Sequence, residues 1–229
     1  MLKKNPKLCY LCGEPGADSK DHIPPKGLFT NPIRGQLITL PAHIKCNHDF
    51  ARDDSEFRDM IIAASFRTPE GQKAWKEKVI EPTRARKRNL SNIQKVVRPV
   101  WIKDVMTDAF IRQYAVFQDA SLMDRQIERF TRGLYYNHFR RPLPAGCNLE
   151  VYKAQPAHLW ADQMVRSLDK FGIYVAWKEP VRGEFRFVFL PAQDAADVSM
   201  SVFVFYETET YVGNTGLPTE DEINIERPK

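Results

Sequence analysis

CYLCGEPGADSKDHIPPKGLFTNPIRGQLITLPAHIKCNHDFARDDSEF, residues 9–57, decides how the rest of the chain is read. Cys9-x-x-Cys12 opens it and His43-x-x-Cys46 comes late in it, two short pairs with the spacing of a four-ligand zinc site. Each pair turns its two side chains toward one point, so Cys9, Cys12, His43 and Cys46 form a Cys3His set. Four protein ligands close the tetrahedron and leave no position for water, which makes the expected zinc structural. Between the pairs, Gly and Pro recur and only Gln36–Leu40 has the texture of a strand. A segment with so little apolar surface needs a cross-link to fold.

Outward from this stretch the chain becomes regular. Asp53-x-x-Glu56 fits a capping box, and Phe57, Met60, Ile61 and Ala64 follow at helical spacing. Thr68-Pro69-Glu70 opens a second helix that is expected to stop before Pro82. Residues 83–99, TRARKRNLSNIQKVVRP, are basic and poor in apolar residues, either a solvated connection or a phosphate-contacting segment. Beyond them, strands are expected at Phe110–Gln118, Asn148–Lys153, Ile173–Trp177, Glu184–Leu190, Ser199–Phe205 and Thr210–Gly213, and helices at Ser121–Phe139 and Ala157–Phe171. The fold class is therefore α+β: a zinc-stapled unit over 1–82, a basic linker over 83–99, and an α+β domain with an antiparallel sheet over 100–229.

Composition narrows the function classes. The 229 residues are 43% hydrophobic, enough for a core, and carry a formal charge of +5. Residues 1–100 hold 19 Lys/Arg against 11 Asp/Glu, whereas 101–229 hold 15 against 18, so the basic excess surrounds the metal-like motif. That distribution suits a polyanion such as nucleic acid as partner. No apolar run reaches membrane-spanning length, and MLKKNPKLCY lacks a signal-peptide core, so a soluble cytoplasmic protein is expected. Three of the four cysteines lie in the two pairs and Cys147 stands apart, a pattern of metal ligation in a reducing compartment.

CxxC, Asp21-His22-Ile23-Pro24, HxxC followed at once by Asn47, and then a helix come in an order that resembles the zinc-stapled branch of the HNH endonucleases. The resemblance covers about residues 8–65. It implies a β-hairpin plus helix around a divalent cation and hydrolysis of phosphodiester bonds, in DNA first of all. On this resemblance Asp21 and Asn47 would hold the catalytic cation and His22 would be the general base. A cation held by oxygen ligands implies Mg²⁺ or Mn²⁺. In that family a middle Asn on the second hairpin strand braces the loop carrying the base, and Gln36–Leu40 contains no Asn; Gln36 or Thr39 substitutes, or the loop is held otherwise. The alternative reading is a zinc-stabilised protein that binds nucleic acid without cutting it. A protein partner or an oligomer would use the C-terminal domain.

Overall fold

The computed structural model of the chain describes residues 7–33, 35–85, 90–154, 163–164, 166–167, 175–195 and 197–216. The opening stretch contains two strands rather than one. β1 (Ser19–Ile23) and β2 (Ile38–Ala42) form an antiparallel hairpin in which Asp21 faces Leu40 and His22 faces Thr39. β1 escapes a propensity reading because SKDHI is mostly polar. Its buried residues, Asp21 and Ile23, alternate with half-exposed ones, as a strand covered on one face requires.

A short helix, α1 (Ile44–Asp49), leads through Phe50 into α2 (Ala51–Ala64). The expected capping box at Asp53 is absent, because the helix already begins before it and Asp53 instead pairs with Arg125 at 3.0 Å. Phe57, Met60 and Ile61 are buried on the apolar face of α2. α3 (Pro69–Ala74) is capped by Thr68, whose hydroxyl accepts from Gly71 N–H at 3.0 Å. The helix does not stop before Pro82. A π-helical stretch, Trp75–Ile80, carries it into α4 (Glu81–Ala85), and the Thr83 hydroxyl donates to the Val79 carbonyl at 2.5 Å. The wider turn accommodates a proline that has no N–H to give.

The expected linker is itself structured in part: α5 (Leu90–Val96) runs straight into β3 (Val97–Lys103), which pairs with β4 (Phe110–Val116). Pro99 hides β3 from a propensity reading, but a two-stranded ribbon tolerates proline because only one edge of each strand is bonded. α6 (Ala120–Phe139), 20 residues long and capped by Asp119, ends at Arg140 in left-handed geometry (φ 58°). β5 (Leu149–Lys153), β6 (Lys178–Val181), β7 (Phe185–Pro191), β8 (Ser199–Phe205) and β9 (Glu209–Thr215) form one antiparallel sheet in the order β5-β9-β8-β7-β6. The helix expected at Ala157–Phe171 and the strand expected at Ile173–Trp177 lie largely outside the described residues.

α6 is the layer common to both halves. A Cβ on Gly133 would lie 2.2 Å from Ile23 Cδ1 on the hairpin, and one on Gly213 of β9 would lie 1.9 Å from Thr131 Oγ1. The helix is thus held close to β1 on one side and to the sheet on the other. Phe57, Phe130 and Phe205 interlock where α2, α6 and β8 meet, with ring centroids 5.5 to 6.4 Å apart. The larger of two buried apolar clusters among the described residues runs from Cys9 through these rings to Tyr211 and spans both expected units; the smaller, of Val188, Val202, Val204 and Val212, belongs to the sheet. Among the described residues, no helix is long and apolar enough to cross a membrane.

Candidate metal centre and the adjoining cavity

Cys9, Cys12, His43 and Cys46 converge as the spacing predicts: one ligand atom from each lies within 4.8 Å of all the others. His43 Nδ1 is 3.4 Å from Cys12 Sγ and 3.9 Å from Cys46 Sγ. A tetrahedron with metal–sulfur bonds of ~2.3 Å and a metal–nitrogen bond of ~2.0 Å has edges of roughly 3.5–3.8 Å, so the residues present fit zinc. The local chain makes this geometry. Gly13, at φ 81°, takes the left-handed turn after Cys12 and donates its N–H to the Cys9 carbonyl at 2.9 Å. His43 Nε2 lies 3.2 Å from the Pro15 carbonyl; with Nε2–H donated there, Nδ1 keeps its lone pair for the metal.

The thiols also behave as a set that wants a cation. Burial and then the neighbouring Cys9 push Cys46 up to about 12. Burial works against ionising Cys9 too, but backbone N–H groups of Cys12, His43 and Leu11 outweigh it and bring that thiol below its usual value. Cys147 takes no part; it is half-buried, and its thiol contacts the Asn148 and Asp197 carbonyls.

On the same hairpin and short helix, Asp21, His22 and Asn47 line one open cavity of about 330 Å³, together with Lys20, Lys26, Asp54 and Arg58. β1 supplies the Asp and His, and α1 supplies Asn47 one residue beyond the last cysteine of the metal cluster. Burial, then Lys26 and Lys20, hold the His22 imidazole below its usual value against the pull of Asp21. This favours the neutral imidazole, the form able to accept a proton. His48 and Asp49 are exposed at the end of α1 and do not line the cavity.

Asp21 is held in a way that the motif does not announce. It is 4% exposed, and Arg129 of α6 bonds both its oxygens: Nη2 lies 2.7 Å from each, and Nε is 3.1 Å from Oδ2. The Tyr10 hydroxyl adds a 2.5 Å bond to Oδ2. Arg129 also reaches Asp54 Oδ1 at 2.5 Å, and its guanidinium sits 4.6 Å from the centroid of the Phe50 ring. Burial opposes the Arg129 charge, but Tyr10, Asp21 and Asp54 outweigh it and hold the guanidinium above its usual value. Asp54 is pushed up by its own burial, an effect that Arg129 partly offsets. Tyr10, Asp54 and Arg129 are the members of the site that motif reasoning missed. Arg129 did leave a signal, a charge between Leu122 and Gly133 on the buried stripe of a long amphipathic helix.

Among the described residues, no Asn side chain is bonded to the loop after His22. Gln36 is exposed, and Thr39 Oγ1 makes only a 3.5 Å contact with the Leu37 carbonyl. The brace comes instead from the C-terminal sheet. The buried Tyr206 hydroxyl donates to the Leu28 carbonyl at 2.6 Å, and Glu184 accepts from Thr30 N–H at 2.9 Å and from the Thr30 hydroxyl. The structure therefore contains a small β-β-α arrangement with a cluster able to hold a structural metal, and a second polar cavity built on the same hairpin. Comparison with protein families, with curated proteins and with solved structures finds no match for this chain.

Proposed function

We propose that the chain is a metal-dependent endonuclease of the HNH type that hydrolyses phosphodiester bonds, DNA being the substrate to test first. The observation that supports this most is the meeting of Asp21, His22 and Asn47 at one cavity lined also by Lys20, Lys26 and Arg58, on a hairpin and helix that adjoin the Cys3His cluster in the chain. In this reading His22 takes the proton of a water molecule as the water oxygen bonds to phosphorus and the bond to the leaving oxygen breaks. Lys20, Lys26 and Arg58 offer positive charge to the phosphates around it. The oxygens of Asn47 and Asp21, with Asp54 beside them, are hard donors of the kind Mg²⁺ or Mn²⁺ takes, and such an ion would stabilise charge on the phosphoryl oxygens.

One observation favours a second reading, a zinc-stabilised protein that grips nucleic acid without cutting it. The charge of Asp21 is already answered by Arg129, which weakens its attraction for a cation. The two readings separate in a cleavage assay on supercoiled plasmid and on labelled single- and double-stranded oligonucleotides with Mg²⁺ or Mn²⁺. Cleavage by the wild type, reduced at least ~100-fold in His22→Ala with an unchanged thermal melt, is the expected result. Equal cleavage by both proteins removes His22 as the base, and binding by both without cleavage establishes the second reading.

A further inference from the structure

Nine of the thirteen large apolar side chains left exposed among the described residues lie between Trp101 and Phe117, on or beside the β3–β4 ribbon. So much bare apolar surface in one hairpin calls for an occupant, because a two-stranded ribbon is marginal in water by itself. The register shows how the surface is sorted. Pro99 faces Tyr114, Trp101 faces Arg112 and Lys103 faces Phe110, and alternation along each strand puts these three pairs on one face. Trp101, Phe110 and Tyr114, 67%, 66% and 66% exposed, thus share a face with Arg112 and Lys103. Val100, Ile102 and Ile111 belong to the other face.

Aromatic rings and cations occur together on this face, and none of its strand positions is a carboxylate. The strands carry Arg98, Lys103 and Arg112 and no Asp or Glu; the turn between them holds Asp104, bonded to the Met106 and Thr107 N–H groups, and Asp108, 2.6 Å from Lys103 Nζ. The Arg112 guanidinium sits 5.6 Å from the centroid of the Tyr114 ring. Successive positions on the face are roughly 7 Å apart, room for one flat ring at each. We propose that this face is a stacking platform for the unpaired bases of a single-stranded nucleic acid, with Arg112 and Lys103 taking the phosphates between them. A second copy of the chain is the poorer occupant, since two-fold pairing of the face with itself brings the same cations together. The inference rests on nucleic acid as the partner in the preceding reading, and not on its cleavage.

The test is fluorescence anisotropy of a fluorescein-labelled 15-mer of deoxythymidine, and of a duplex of equal length, with the full chain at low salt and no added divalent cation. Trp101→Ala and Tyr114→Ala each weaken single-strand binding by about 5- to 150-fold, the cost of one lost base stack. Trp101→Phe retains most of the affinity, Ile102→Ala on the opposite face retains all of it, and duplex binding changes little in any variant. Single-strand affinity unchanged by the two aromatic deletions overturns the platform, as does an equal loss in Ile102→Ala, which marks a merely loosened ribbon. A wild-type dimer in sedimentation that the aromatic variants dissolve without change in oligonucleotide affinity makes the face a copy interface and also overturns it, as does no binding at all. Aromatic-dependent binding by a protein that cuts nothing removes the nuclease reading and leaves the platform; cleavage with aromatic-independent binding does the reverse.

Discussion

Replacing Arg129 with methionine is the most informative single perturbation, because this side chain neutralises carboxylates contributed by two different elements. It is 1% exposed, and it bonds Asp21 on the hairpin and Asp54 on α2. Methionine fills much of the same volume, so the cavity term is small and the cost is mainly electrostatic. Removing one partner of a buried ion pair costs about 3–5 kcal/mol, since the other charge is left desolvated and unpaired. For a chain of this size each kcal/mol lowers the melting temperature by about 2–4 °C, so Arg129→Met should melt roughly 6–20 °C below wild type. Circular dichroism melts and urea unfolding measure this. The double variant Asp21→Asn, Arg129→Met should regain about half of the loss, because it removes the stranded charge on the hairpin while leaving that on Asp54. A loss below about 1 kcal/mol, or a double variant no better than the single one, would refute the claim that this pair joins α6 to the hairpin.

Three further outcomes follow from named contacts. Purified protein should carry about one zinc per chain by elemental analysis; Cys12→Ser, or stripping the metal with a chelator, should unfold at least residues 8–49, seen as loss of amide protection there, because metal binding and folding are coupled in such sites. Tyr206→Phe removes the hydroxyl from a buried 2.6 Å bond to the Leu28 carbonyl and should cost about 1 kcal/mol in urea unfolding. If the loop it braces positions His22, cleavage should fall further than that stability loss explains, through kcat rather than KM. Gly133→Leu drives a side chain into Ile23 and Leu40 and should lower stability by about 1–3 kcal/mol, read from the same melts.

What could be read from the sequence was whatever is local. The metal cluster rests on two x-x spacings, each of which turns one pair of side chains together, and a Tyr10 N–H bond to the Pro41 carbonyl holds the two pairs side by side. α6 and β8 were readable for a similar reason: α6 keeps a helical period over 20 residues, and β8 is a short run dominated by Val and Phe. β1 and β3 were not, since one is a polar SKDHI and the other carries Pro99, and both become strands only through their partners. The site divides in the same way. Asp21, His22 and Asn47 lie within one short stretch, so a motif could nominate them. Arg129, Tyr206 and Glu184 act across 108, 178 and 154 residues of chain, and only the packed core brings them to the hairpin.

The position of α6 also decides whether the N-terminal stretch can be handled as a portable cassette. Excised at residue 82, it would lose the guanidinium that answers Asp21, the hydroxyl that holds Leu28 and the helix surface that covers Ile23. A zinc ion would still gather its four ligands, but it would staple a hairpin with one wet apolar face and a stranded carboxylate. Grafting experiments and domain swaps should therefore move the whole chain, and a truncated piece that binds zinc yet does nothing else says little about the activity of the whole.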